Sequence, residues 1–201
     1  RVIELLSALP GAEDFIVTSD VGQHQMWTAQ YFPFRQPRRW VNSGGLGTMG
    51  FGLPAAIGAA MAHPGKTVVC ISGDGSIQMS TKELMTCMQY RLPIKIICLN
   101  NRQLGMVRQQ QDLYHGRRRS HSYMEALPDF VRLAEAYGHR GLRLESDAAL
   151  EPGLREAFAD ARQLVFIEVL VDSRENVYPT LPPGRPLTDM ILRAPIAAED
   201  L

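Results

Sequence analysis

Three stretches of the chain are apolar almost without interruption: Thr67-Val68-Val69-Cys70-Ile71, Ile94-Lys95-Ile96-Ile97-Cys98-Leu99 and Val165-Phe166-Ile167-Glu168-Val169-Leu170-Val171. Runs of this length and β-branched content predict strands buried on both faces. Phe15-Ile16-Val17-Thr18 predicts a shorter strand of the same kind, and Gly141 to Leu144 a weaker one. Helical patterns lie between them. Val2, Leu5 and Leu6 precede the breaker Pro10-Gly11, and Gly50 to Ala62 is a small-residue helix stopped by His63-Pro64-Gly65. Ser80-Thr81-Lys82-Glu83 predicts a capping box opening a helix that turns Leu84, Cys87 and Met88 to one face and ends near Tyr90. Phe130, Leu133, Ala134 and Tyr137 line a further helix with Gly138 as its C-cap, and a last helix runs around Leu154 to Ala161.

Apolar strands separated by helices imply an α/β fold, a parallel sheet with helices on both faces. Ligands of such sheets bind at the carboxyl ends of the strands, near a switch in strand order. Residues 1–172 are expected to form this domain. Pro179, Pro182, Pro183 and Pro186 mark 173–201 as an extended C-terminal arm. The chain opens with Arg1 inside a helical pattern, so a piece of a longer polypeptide is expected.

Composition narrows the partners. Lys plus Arg and Asp plus Glu both number 21, which gives no electrostatic reason to expect nucleic acid or an anionic membrane. No apolar run approaches the roughly 18 residues that span a bilayer, and the first residues lack the layout of a signal peptide. Cys70, Cys87 and Cys98 are too few for a disulfide framework and read as buried small hydrophobes in a reducing compartment.

Two glycine-rich loops carry candidate chemistry. Gly45, Gly47 and Gly50 form a literal G-x-G-x-x-G before a helix, and Asp74 stands beyond the next strand, as a dinucleotide site would require. Against that reading, Arg38 to Asn42 is a poor buried strand. The second loop, Ser72-Gly73-Asp74-Gly75-Ser76, directly follows an apolar strand. Its glycines admit a phosphate close to the backbone, but an aspartate there would repel one unless a cation lay between. A hard, oxygen-seeking metal such as magnesium fits. The next strand ends in Asn100-Asn101, and neighbouring parallel strands would bring Asp74 and Asn101 to one edge. The alternative is that both are turn residues at strand ends.

Gly73-Asp74-Gly75 followed by Asn100-Asn101 resembles the metal and diphosphate motif of thiamine-diphosphate enzymes. Resemblance to acetolactate synthases covers nearly the whole chain: Val21 to Trp27, Gly44 to Gly58, Gly73 to Asn101, Gly105 to Gln109, and Asn176-Val177-Tyr178-Pro179 with Pro182-Pro183-Gly184. The resemblance implies the C-terminal thiamine-diphosphate- and magnesium-binding domain of a large catalytic subunit, one domain of three. It implies Asp74, Asn101 and the Gln103 carbonyl as metal ligands, with little demand on the Gln103 side chain. Gly73, Gly75, Ser76, Gln23 and His24 fall on the diphosphate side; His24 alone reads equally well as a core histidine. Gly105 and Met106 also border the cofactor. The Gly47 carbonyl would hold the aminopyrimidine amino group, and Met49 would wedge the two cofactor rings into a V. Met106 and Gln110 would face the substrate channel. Many members carry tryptophan where Gln110 stands, in a pocket that prefers 2-oxobutanoate, so Gln110 leaves that preference open. A Gln-Gln-Gln run like Gln109 to Gln111 occurs in a bacterial branch.

The implied reaction joins pyruvate, with loss of carbon dioxide, to a second 2-oxo acid, pyruvate or 2-oxobutanoate, in branched-chain amino acid biosynthesis. The resemblance further implies a homodimer or homotetramer with the site at an interface, an optional small regulatory subunit, and a bacterial cytoplasmic enzyme. The pyrimidine-activating glutamate and the FAD site of the family belong to domains outside these residues, so the isolated chain is expected to be inactive. Tyr114 to Ser122 is expected to form a mobile loop over the site. Its Arg117-Arg118-Arg119 could attract carboxylates, although such runs are more often solvated surface. Rival readings are another thiamine-diphosphate decarboxylase, oxidase or carboligase, and a non-catalytic assembly module of the same fold.

Overall fold

The computed structural model describes residues 1–194. Six strands form one all-parallel sheet in the order β2-β1-β3-β4-β6-β5. They are β1 (Ile16–Ser19), β2 (Trp40–Asn42), β3 (Val68–Gly73), β4 (Lys95–Asn100), β5 (Arg140–Leu144) and β6 (Val165–Leu170). The helices are α1 (Val2–Ser7), α2 (Gln23–Tyr31), α3 (Gly52–Ala62), α4 (Asp74–Gln78), α5 (Leu84–Gln89), α6 (Gly105–Tyr114), α7 (Phe130–Ala136) and α8 (Asp147–Ala159).

The fully apolar strands alternate between two cores, as the two-residue strand period demands. Val69, Ile71, Ile97 and Ile167 face α1 and α8; Cys70, Ile96, Cys98 and Phe166 face α3, α5 and α7. All three cysteines are buried and free. No helix among the described residues is long and apolar enough to cross a membrane.

Several sequence expectations are corrected. Arg38 to Asn42 does contain a strand: β2 pairs with β1 at the sheet edge, where half-burial suffices and apolar continuity is not needed. Residues after Gly73 do not form an open loop, because α4 begins at Asp74 itself. The Ser80 capping box is not made. A short 3-10 turn over Thr81–Glu83 intervenes, the Ser80 hydroxyl has no partner, and Glu83 accepts from Thr86 Oγ1 instead (2.8 Å). Met88 is 48% exposed rather than core. The last helix starts at Asp147 and carries Pro152 inside it. Gly138 adopts the left-handed C-cap conformation as expected (φ 78°).

The arm crosses back over the domain. Buried Arg108 donates to the Arg174 carbonyl (3.2 Å) and to the Glu175 carbonyl, and Val177 is fully buried. The last residues of the expected arm, 195–201, lie outside the described residues. Tyr114 to Ser122 folds back on α6: Arg119 pairs with Asp112 (2.7 Å) and the Ser122 hydroxyl donates to Gln111 (2.8 Å). Arg119 is therefore engaged, while Arg117 and Arg118 remain exposed.

Candidate functional site

Strand order reverses between β1 and β3: the chain leaves β1 for β2 on one side and returns to place β3 on the other. At such a switch the loops leaving the strand ends diverge and open a crevice. A cleft of about 220 Å³ lies there. Its walls come from the start of α2 (Gln23, His24), the loop after β2 (Gly47, Met49), the end of β3 and start of α4 (Gly73 to Ser76), and the residues after β4 (Asn101, Gln103 to Val107). Every predicted site residue except Gln110 lines this cleft. Gln110 lies on the outer side of α6, in a shallow recess with Gln111, His115 and Arg118 that meets the cleft only at Val107.

Register explains how the acidic end is built. Gly73 stands opposite Leu99 across β3 and β4, so Asp74 and Asn101 leave the sheet on the same edge. Asp74 Oδ1 accepts from the Gly75 amide (2.9 Å), while Oδ2 is buried with no partner. Burial pushes its carboxyl up to about 6, against the lowering effect of nearby backbone amides. Asn101 Oδ1 accepts from the Gln103 amide (3.0 Å), and its Nδ2 donates to Gln23 Oε1 (3.3 Å). Asn100 points elsewhere: it donates to buried Glu168 (2.7 Å), which also holds Arg143 (2.6 Å).

His24 is buried with Nε2 unpartnered, and burial lowers its pKa to about 4, so the ring is neutral at pH 7. The ring lies against the backbone at Gly73, where a Cβ would stand 2.9 Å from Nδ1. Gln103 Oε1 is a third buried oxygen or nitrogen in the cleft without a partner. A buried polar atom without a partner costs about 1–3 kcal/mol, and three gathered in one cleft mark a place where a polar ligand is accommodated. Neither α2 nor α6 has a side-chain cap, so the free amides of two helix starts also border the cleft.

One positioning group escaped the sequence reading. Asp20, fully buried, accepts from the amides of Val21 (2.8 Å), Gly50 (2.9 Å) and Gly52 (2.8 Å). It ties the loop carrying Gly47 and Met49 to the end of β1. Its only sequence signal is an aspartate directly after an apolar strand, the same signal that Asp74 gives.

The switch-point cleft thus gathers a carboxylate, an amide and unpartnered buried polar atoms, an arrangement that accommodates a polar ligand. Residues 20–169 match the family of thiamine pyrophosphate enzymes, C-terminal TPP binding domain, and the chain belongs to that family. Acetolactate synthase large subunits are among its relatives. It is 56% identical over 193 residues to the acetolactate synthase isozyme 3 large subunit of Escherichia coli (strain K12), covering 95% of this chain and 33% of that protein. It is 52% identical over 195 residues to the large subunit of Haemophilus influenzae (97% and 34%), and 48% identical over 181 residues to that of Porphyra purpurea (90% and 30%). The chain thus spans about a third of the length of these relatives. Family membership removes the dinucleotide reading of Gly45 to Gly50.

Proposed function

We propose that this chain is the diphosphate- and metal-binding half-site of an acetolactate synthase that condenses pyruvate with a second 2-oxo acid in branched-chain amino acid biosynthesis. The observation that carries the reading is the set of unpartnered buried atoms, Asp74 Oδ2, His24 Nε2 and Gln103 Oε1, in one cleft of a thiamine-diphosphate-family domain. The set fits the cofactor: the Asp74 carboxylate, with the Asn101 amide oxygen in the same cleft, suits magnesium, which prefers oxygen ligands, and a neutral imidazole suits a diphosphate oxygen.

Asp74 and Asn101 would hold magnesium, with the Gln103 carbonyl completing the protein's share. His24, Ser76 and the helix starts at Gln23 and Gly105 would bind the diphosphate, whose charge the free amides favour. The Gly47 carbonyl and Met49 side chain would orient the aminopyrimidine. When bound, thiamine diphosphate supplies the nucleophilic carbon at which a 2-oxo acid is decarboxylated and its remainder transferred. Met106 would border the reacting end, and Gln110, beyond Val107 on α6, would face the substrate channel.

Ligand sites commonly enclose about 300–1,000 Å³, and a cleft of about 220 Å³ is small for a ligand enclosed by one domain. That supports completion by a second domain, from which the activating glutamate would arrive; FAD would be bound elsewhere in the full-length enzyme, and the subunits would assemble as a homodimer or homotetramer.

The test is the full-length enzyme titrated with thiamine diphosphate and magnesium. Acetolactate is the expected product from pyruvate, and Asn101→Ala is expected to lose magnesium-dependent activation. Acetaldehyde as product, or an unchanged magnesium response in Asn101→Ala, would overturn the reading. Gly105 offers a second check. A Cβ there would stand 2.1 Å from Gln23 Oε1 and 2.6 Å from Asn101 Nδ2, so Gly105→Ala must push both side chains aside. Cofactor affinity measured by calorimetry is expected to fall by about tenfold or more, the usual cost of disturbing a metal's supporting shell.

A further inference from the structure

A chain of amide hydrogen bonds runs from the C-terminal arm to Asn101. Gln109 reads both backbone groups of Val177: its Oε1 accepts the Val177 N–H (2.7 Å) and its Nε2 donates to the Val177 carbonyl (3.3 Å). The same Oε1 accepts from Gln23 Nε2 (2.9 Å), which also donates to the Glu175 carbonyl (3.0 Å). Both amide hydrogens of Gln23 therefore have acceptors on the arm side. Its Oε1 is left facing Asn101, where it accepts from Nδ2 (3.3 Å).

A side-chain amide can present oxygen or nitrogen with almost no change of shape, so its orientation is decided by its partners. The Val177 N–H is a donor and cannot be anything else. It demands an oxygen from Gln109, which demands a nitrogen from Gln23, which leaves an oxygen for Asn101 Nδ2. Asn101 Oδ1 is thereby directed away from Gln23, toward the side where it accepts from the Gln103 amide (3.0 Å). A flipped Asn101 would offer a cation two hydrogens instead of an oxygen. Gln109 does not line the cleft itself, yet it is 4% exposed and all its polar atoms are engaged.

We propose that Gln109 is a positioning residue for the metal site: it docks the arm at Val177 beside Gln23 and, together with the Gln103 N–H, sets which way the Asn101 amide points. The proposal rests on the reading of Asn101 as a magnesium ligand. It makes magnesium affinity depend on a segment more than 70 residues along the chain from that ligand.

The test measures magnesium binding to the full-length enzyme by calorimetry in saturating thiamine diphosphate, beside the magnesium dependence of acetolactate formation. Gln109→Leu is expected to raise the half-saturating magnesium concentration about tenfold, as loss of an outer-shell partner typically does, while kcat at saturating magnesium changes little. Gln109→Met has nearly the same shape but no acceptor for the Val177 N–H or for Gln23 Nε2, and is expected to shift magnesium in the same direction; it serves if the leucine variant does not fold. Val177→Ala is the control for packing. It opens a cavity in a fully buried position but keeps both backbone groups, so thermal stability is expected to fall with magnesium affinity unchanged. Wild-type magnesium affinity in both Gln109 variants, with Asn101→Ala defective, overturns the positioning role alone. An equal rise in Val177→Ala overturns it too, by assigning the effect to packing. Wild-type affinity in Asn101→Ala removes the metal-ligand reading beneath it.

Discussion

Asp74→Asn is expected to make the ligand-free enzyme more stable at neutral pH while removing its response to magnesium. Burial holds the Asp74 carboxyl at about 6 in the fold, against an ordinary value of 3.8. A carboxyl raised on folding favours the protonated native state. Its stabilising contribution is complete below 3.8 and is lost as pH rises through 6. Above that, the buried carboxylate costs the fold about 3 kcal/mol, at 1.36 kcal/mol per pH unit. An amide of the same shape carries no charge to desolvate and can keep the bond from the Gly75 amide. The variant's melting temperature without cofactor or magnesium is therefore expected to exceed wild type at pH 8, and the two are expected to converge near pH 4. The same charge is what a cation needs. Wild-type magnesium affinity is expected to fall toward tenfold per unit as pH drops below about 6, because the ligand must be deprotonated. Activity of Asp74→Asn is expected to fall by more than about 100-fold at any attainable magnesium concentration, beyond the usual cost of an outer-shell change. A variant that is less stable than wild type at pH 8 would show that the site does not hold a strained charge.

That opposition between stability and site chemistry also explains what the sequence discloses. The strands β3, β4 and β6 are plain in the pattern because both faces of each are apolar and buried. The elements around the cleft obey no such pattern. The buried residues of α2 are Gln23, His24 and Thr28, and those of α6 are Arg108 and Gln109. In α2 a polar inward face leaves no apolar stripe for periodicity to find, and in α6 the apolar Met106, Val107, Leu113 and Tyr114 are not the buried residues, so an apolar pattern points to the wrong face. Here the inward polar residues hold the arm, the cleft and one another. Likewise Asp74-Gly75-Ser76 has the composition of a turn, yet Ser76 Oγ accepts from the Gly73 amide (3.1 Å) and the segment closes into α4. The Asp74 and Asn101 pairing was legible because strand adjacency and register follow from simple βαβ order. The Asp20 clamp and the Gln109 relay were not, since each depends on contacts between segments 30 to 86 residues apart.

Asp20→Ala is expected to do more damage than its distance from the reacting atoms suggests. One carboxylate satisfies three amides, a buried one at Gly52 and part-buried ones at Val21 and Gly50, and the two at Gly50 and Gly52 end the loop that carries Gly47 and Met49. The Thr18 hydroxyl donates to the Gly52 carbonyl (2.9 Å), so the loop end is gripped through both backbone groups. Alanine leaves the three amides without that acceptor. At about 1–3 kcal/mol for a group left unsatisfied in the interior, the buried Gly52 amide sets most of the loss, and the part-buried Val21 and Gly50 amides, which can relax toward water, add less. Burial raises the Asp20 carboxyl above its ordinary value while the amides of Gly52, Val21 and Gly50 pull it down, so the charge is costly and retained only by those bonds. Asp20→Asn separates the two contributions. Its oxygen can still serve Val21 and Gly50, but its nitrogen meets the Gly52 N–H, donor against donor. The asparagine variant is therefore expected to fold with a smaller stability loss, yet to hold Gly52 and the preceding Met49 loosely. In the full-length enzyme this predicts a kcat decrease that exceeds any change in magnesium affinity, because Asp74 and Asn101 stand on other loops. Denaturant unfolding and magnesium titration of both variants check this. A magnesium defect as large as the kcat defect would mean that Asp20 supports the whole cleft rather than the loop of Gly47 and Met49.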